Sequence, residues 1–97
     1  MTTIHYHQAA EAELLEQIRY LEDRARGLGR LFFAEIQKAE RQIARHPESS
    51  AEILPGIRKH VMRKFPYLMI YSIEEAKVLI LAVAHAKRRP GYWISRG

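Results

Sequence analysis

Residues 67–85 read YLMIYSIEEAKVLILAVAH, and this stretch decides the fold because it contains two apolar strands joined by a short turn. Residues 67–73 and 77–85 are rich in Tyr, Val, Ile and Leu, and Glu74-Glu75-Ala76 separates them. So short a connection can join only antiparallel neighbours. Residues 57–65, which end before Pro66, are predicted to add a third strand and to complete an antiparallel meander.

The last strand is apolar on both faces. Strict alternation predicts one face with Val78, Ile80, Ala82 and Ala84, and an opposite face with Leu79, Leu81, Val83 and His85. Helices of the same chain can cover one face, and nothing in the chain is expected to remain for the other. We expect a heterologous protein partner to cover that second face, with the C-terminal tail and a homodimer as the alternatives.

The residues before the meander predict a short strand and two helices. Residues 3–7 alternate weakly, as in a short strand. A helix is predicted from Ala9, with an apolar stripe at Leu14, Ile18, Leu21 and Ala25. Acidic residues that suit a helix start lie at Glu11, Glu13 and Glu16. The glycines Gly27 and Gly29 follow its end. The second helix has its stripe at Leu28, Phe32, Ile36, Ala39 and Ile43. His46-Pro47 ends this helix, and residues 48–56 are predicted to form a loop.

The sequence therefore predicts one α+β domain over residues 1–97. Its order is a short N-terminal strand, an antiparallel helical hairpin and a three-stranded antiparallel meander in one sheet.

Composition excludes several classes of protein. The chain has no cysteine, which excludes a disulfide scaffold, a cysteine zinc site and a thiol nucleophile. The longest apolar run, residues 78–84, is seven residues long and far too short to span a bilayer. No basic and apolar leader follows Met1, so we expect a cytoplasmic protein that does not bind membranes.

Positive charge is concentrated in the C-terminal half. Residues 1–54 hold seven Lys or Arg and nine Asp or Glu, a balance of −2, whereas residues 55–97 hold nine and two, a balance of +7. A basic half of this kind indicates either a polyanionic partner or a solubilising surface.

Five segments carry a family resemblance. They read LGRLF at 28–32, GIRK at 56–59, FPYLMIY at 65–71, VLILAVAH at 78–85 and RRPGYW at 88–93. In this order they resemble the RelE/ParE toxin family of type II toxin–antitoxin systems over nearly the whole chain. The resemblance implies a growth-inhibiting, plasmid-stabilising toxin in a hetero-oligomer with a cognate antitoxin, which wraps an extended or helical and often acidic segment around the toxin.

The family has two activities, and the resemblance favours the ParE-like one, inhibition of DNA gyrase. The RelE-like pattern for ribosome-dependent cleavage of mRNA has basic residues where this chain has Val61, Leu68 and Ala86, whereas Lys59 and Tyr92 match it. We therefore expect a protein that is not an enzyme. The alternative is a ribosome-dependent endoribonuclease, and its candidate catalytic residues are Arg58, His85, Arg88 and Tyr92. A third possibility is an inactive toxin-like interaction protein.

The residues expected to contact the target or the antitoxin are basic and aromatic: Arg58, Lys59, Arg63, Arg88, Arg89, Tyr92 and Trp93. Each has a structural alternative. The basic residues can form a solvated strand rim, Tyr92 and Trp93 can fold the tail onto the sheet, and His85 can be a hydrogen-bonded packing residue. His5 and His7 lack a nearby third ligand, so no metal and no cofactor are expected.

Overall fold

The computed structural model describes residues 2–96, which form two α-helices and a five-stranded sheet. The helices are α1 (Gln8–Arg24) and α2 (Leu28–Arg45). The strands are β1 (Thr3–Tyr6), β2 (Ala51–Leu54), β3 (Ile57–Val61), β4 (Tyr67–Glu74) and β5 (Lys77–His85), and a short 3-10 helix (Ile94–Arg96) follows. Within residues 2–96, no helix is long and apolar enough to cross a membrane.

The strands are ordered β1-β5-β4-β3-β2 across the sheet. β3, β4 and β5 form the antiparallel meander, and β1 runs parallel to β5 with Ile4 opposite Val78. This arrangement confirms the predicted α+β fold: an N-terminal strand, a helical hairpin and an antiparallel meander in one sheet.

The core lies between the helical hairpin and the sheet. The stripe predicted for α2 is fully or almost fully buried at four positions: Phe32, Ile36, Ala39 and Ile43. Phe32 packs against the rings of Phe65 and Tyr67, with centroids 5.2 and 4.8 Å away. Because each large apolar side chain contributes roughly 1.5–3 kcal/mol when buried, this stripe fixes the hairpin on the sheet.

The turn between the helices depends on two glycines. Gly27 has a φ of 87°, a left-handed conformation that glycine adopts without strain. Gly29 lets the helices approach closely, since a Cβ at this position would lie 2.6 Å from the carbonyl oxygen of Ile18. The Glu22 carboxylate accepts hydrogen bonds from the amides of Gly27 and Gly29 at 2.9 and 3.0 Å, and these bonds lower the pKa of Glu22. α1 thus supplies a cap for the start of α2.

Two predictions about the strands are wrong near the sheet edge. Residues 48–56 are predicted to be a loop, but Ala51–Leu54 form β2, which pairs with β3. All four β2 residues are exposed, so they lack the alternation by which a sequence reveals a strand. The strand predicted over residues 57–65 ends at Val61, because the chain then turns and the Met62 amide donates to the Tyr67 carbonyl at 3.1 Å.

A β-bulge corrects the predicted faces of β5. Ile70 pairs with Ala82 but Tyr71 pairs with Ile80, which leaves Leu81 as an extra residue and reverses the alternation after it. The helix-covered face of β5 therefore presents Val78, Ile80, Val83 and His85. The opposite face presents Leu79, Leu81, Ala82 and Ala84.

The C-terminal tail covers part of this opposite face. Trp93 is 5% exposed and packs with Ile70, Leu81 and Ala82. The expectation that nothing in the chain remains to cover the second face is therefore wrong for the β4–β5 part, and the alternative in which the tail covers it holds there. The face stays open toward β3, where Val61 is 59% exposed.

Candidate functional site

A groove lies between the tail-covered face of the sheet and the residues that follow β5, and we call it the tail groove. Its volume is ≈ 450 Å³. Apolar side chains form its floor: Leu68, Ile70, Ala84 and Trp93. Basic residues form its rim: Lys59, Lys87, Arg88 and Arg89. His85, at the end of β5, also lines the groove, although its ring packs against Tyr67 on the helix-covered side. Among residues 2–96, no acidic side chain lines the groove, so it attracts anions through its rim and apolar groups through its floor.

Arg88 is held over an aromatic ring in this groove. Its guanidinium carbon lies 3.6 Å from the centroid of the Tyr92 ring, and that of Arg96 lies 5.0 Å from the same centroid. Such cation–π contacts contribute about 0.5–1 kcal/mol at exposed sites. The Arg88 side chain is nevertheless 51% exposed, so its guanidinium is able to contact a ligand.

The Tyr92 hydroxyl is buried and has no hydrogen-bond partner within the described chain. Burial and the nearby Glu13 carboxylate raise the pKa of Tyr92 to about 12. Tyr92 is therefore neutral at physiological pH, where its hydroxyl can donate a hydrogen bond but does not exist as a phenolate base.

Glu13 of α1 connects the helix to the sheet and to the tail. Its carboxylate accepts a hydrogen bond from the Val83 amide at 3.1 Å and pairs with Arg96 at 3.0 Å and Arg88 at 3.5 Å. β1 pairs with β5 only as far as Ile80, so Glu13 satisfies a backbone amide of β5 beyond the end of β1. The sequence predicted only that Glu13 would suit the helix dipole, because nothing in the local pattern points to a partner 70 residues away.

Arg96 anchors the end of the tail. It donates to the Leu81 carbonyl at 3.0 Å and pairs with Glu13, and its side chain is only 16% exposed. The hydrogen bond to Glu13 raises the pKa of Arg96 above its usual value. Together with the buried Trp93, these contacts hold the tail against β5.

Most of the site residues predicted from the sequence line the tail groove: Lys59, His85, Arg88, Arg89, Tyr92 and Trp93. Arg58 does not, since it points to the other side of β3 and donates to the carbonyls of Glu48 and Ser50 at 3.0 and 2.8 Å. These bonds hold the segment that leads into β2.

His85 makes two contacts within the chain. Its ring packs edge-on against Tyr67 with the centroids 5.2 Å apart, and its Nδ1 accepts a hydrogen bond from the Lys87 amide at 3.1 Å. These contacts fit the packing interpretation of His85 from the sequence.

Arg63 lies in a separate cleft of ≈ 240 Å³ between α2 and the β3 end. In this cleft Glu35 pairs with Lys38 at 3.0 Å and with Lys64 at 3.7 Å, and both lysines lower the pKa of Glu35. Burial lowers the pKa of His60. Positive charge in this cleft is therefore partly compensated by a carboxylate of the cleft lining, whereas Glu13, which pairs with Arg88 of the tail groove, lies outside the groove lining.

The two histidines of the N-terminal segment have different surroundings. The Nδ1 of His7 accepts a hydrogen bond from the Ala9 amide at 3.0 Å and caps α1, whereas His5 is exposed on β1. Among residues 2–96, no three His, Asp or Glu side chains are grouped so that they could hold a metal ion.

Comparison with solved structures identifies the same architecture in a toxin–antitoxin complex. The chain matches a structure described as the chromosomal ParDE TA system from P. aeruginosa with a TM-score of 0.72. The match covers 90% of this chain and 98% of that chain at 15% sequence identity, so it shows a shared fold. A comparison with curated protein sequences gives no match.

The family is shown by the sequence itself. A family model described as the ParE toxin of type II toxin-antitoxin system, parDE, matches residues 4–90. The chain therefore belongs to the ParE toxin family, which confirms the resemblance and implies an antitoxin partner.

Proposed function

We propose that this ParE-family toxin inhibits growth in the cytoplasm by binding DNA gyrase, and that a cognate antitoxin neutralises it by occupying the tail groove. The observation that supports this most is the lining of the groove, where an apolar floor is surrounded by cations and, in the described residues, by no acid. An acidic partner segment with one apolar side chain complements both features, since arginine pairs with carboxylates through two parallel hydrogen bonds.

The geometry favours binding over RNA cleavage. Cleavage through the 2′-hydroxyl needs a group that accepts a proton and cations that stabilise the developing charge. Arg58 is bonded to two carbonyls outside the groove, so it does not lie beside the other three candidates. Leu68 lies in the apolar floor at a position where the RelE-like pattern has arginine. The four nuclease candidates therefore do not form one catalytic constellation.

A pair of assays on the purified toxin tests the proposed target. We expect the toxin to inhibit supercoiling of relaxed plasmid by gyrase and to leave mRNA intact in a translating ribosome reaction followed by primer extension. Codon-phased cleavage with normal supercoiling would identify the ribonuclease alternative. Normal supercoiling, intact mRNA and unaffected growth on induction would identify an inactive toxin.

Matched variants test whether the tail groove is the contact surface. The double variant R88Q/R89Q removes two rim charges, and R41Q/R45Q removes two charges from the exposed surface of α2, outside the groove. We expect R88Q/R89Q to lose toxicity and capture of the co-encoded antitoxin, with R41Q/R45Q unchanged in both. Equal effects of the two variants would contradict the assignment of the groove.

A further inference from the structure

We infer that Glu13 competes with acidic partners for Arg88 and thereby sets the affinity of the tail groove for such partners. This inference rests on the proposed function of the groove, and it assigns a role to a residue on α1 that is not part of the groove lining. In the free chain, the Glu13 carboxylate lies 3.5 Å from the Arg88 guanidinium, so a carboxylate of the partner has to compete with this ion pair.

The three contacts of Glu13 differ in strength. The Val83 amide and Arg96 lie at 3.1 and 3.0 Å, and the Arg96 side chain is 16% exposed. Arg88 lies farther away, at 3.5 Å, and its side chain is 51% exposed. Since exposed and loosely placed ion pairs contribute least, the pair with Arg88 is the one that a ligand can displace.

The Tyr92 hydroxyl offers compensation when Arg88 turns to a ligand. It is a buried donor that makes no hydrogen bond in the described chain, and burial together with the Glu13 carboxylate raises its pKa. When Arg88 turns away, the Tyr92 hydroxyl can donate a hydrogen bond to the Glu13 carboxylate in place of the Arg88 guanidinium. A buried hydroxyl without a hydrogen-bond partner lowers the stability of the fold. The new hydrogen bond therefore offsets the loss of the Arg88–Glu13 ion pair.

The tail does not need to leave the sheet for this exchange. Trp93 remains packed on Ile70, Leu81 and Ala82, and Arg96 keeps its bond to the Leu81 carbonyl. Only the side chain of Arg88 changes its partner, and the Tyr92 ring below it limits how far the guanidinium moves.

The test measures binding of a fluorescein-labelled, capped peptide, EELEE, to the full chain by anisotropy at low ionic strength. We expect E13Q to bind the peptide about two- to five-fold more tightly than the wild type, because it removes one exposed ion-pair competitor. E16Q is the matched control, since Glu16 is exposed on the same helix and carries the same charge. In an R88Q background, E13Q should have no effect.

Trp93 provides a second readout because it is the single tryptophan of the chain. Its emission maximum should be the same in E13Q and in the wild type, which shows that the tail stays docked. Y92F keeps the ring but removes the compensating donor, so it should weaken peptide binding.

Three results would overturn the role of Glu13: equal gains in E13Q and E16Q, a gain that persists with R88Q, or weaker binding by E13Q with a red-shifted Trp93 emission. An unchanged affinity in Y92F would overturn the compensating role of its hydroxyl. If neither the wild type nor E13Q binds the peptide, the tail groove is not an acidic-partner site, and the proposed antitoxin site fails with the inference. The gyrase proposal is decided separately by the supercoiling assay.

Discussion

Replacing Trp93 by alanine should remove much of the stability of the fold. Trp93 is 5% exposed, and aromatic side chains bury about 150–250 Å² each. At roughly 25 cal/mol per Å², this area corresponds to about 4–6 kcal/mol as an upper bound. Water can enter the space that alanine leaves at the groove, which limits the cavity penalty. We therefore expect W93A to lower the free energy of unfolding by about 3 kcal/mol.

Urea denaturation followed by far-UV circular dichroism measures this loss. With a urea dependence of about 1–1.5 kcal/mol per M for a chain of this size, the midpoint should fall by about 2–3 M. I94A is the matched control, because Ile94 is next to Trp93 in the tail but is 56% exposed. It should change the free energy by no more than about 0.5 kcal/mol. A loss below 1 kcal/mol in W93A would show that the tail is not part of the cooperative unit, and would refute the reasoning.

Three further predictions concern the helical hairpin. G29A should destabilise the protein by about 1–3 kcal/mol in thermal unfolding, because its Cβ would lie 2.6 Å from the Ile18 carbonyl oxygen; full stability would contradict the close approach of the helices. Glu22 has a lowered pKa in the folded chain, so it contributes stability above its unfolded pKa, and this contribution is lost as the pH falls through its folded pKa. E22Q should therefore flatten the acid limb of a stability–pH curve, and an unchanged limb would exclude the cap. H7A should cost about 0.5–2 kcal/mol through loss of the α1 cap and H7N much less, whereas equal losses would exclude capping by the side chain.

The sequence predicts those parts of the fold in which one side of an element is buried. The stripe of α2 from Phe32 to Ile43 is read correctly because four of its residues face one core. β2 escapes prediction because all of its residues are exposed and its pairing with β3 leaves no pattern in the side chains. The bulge at Leu81 is not predicted either. Residues 78–84 are all apolar, so the sequence pattern does not show which face of the sheet each side chain lies on.

The candidate site is predictable in its residue types and not in its contacts. The sequence predicts basic and aromatic contact residues near the chain end, and Arg88, Arg89, Tyr92 and Trp93 among them line the tail groove. The contact of Glu13 with the tail depends on how α1 crosses β5. Arg58 lies outside the groove because its side chain is on the other face of β3. Both features follow from tertiary packing across long sequence separations, which local patterns do not encode.

The position of β5 links completion of the fold to protein synthesis. Of the five strands in residues 2–96, β5 is the last to emerge from the ribosome, yet it lies in the interior of the sheet and pairs with β1, where Thr3 lies opposite Lys77. A nascent chain that lacks β5 cannot complete the sheet, because β5 lies between β1 and β4. Without it, β1 has no strand to pair with, and β4 has no strand on the edge where β5 would pair. A frameshift or stop codon before residue 77 thus yields a polypeptide that is unable to fold, so that only translation through β5 gives a toxin with a binding surface.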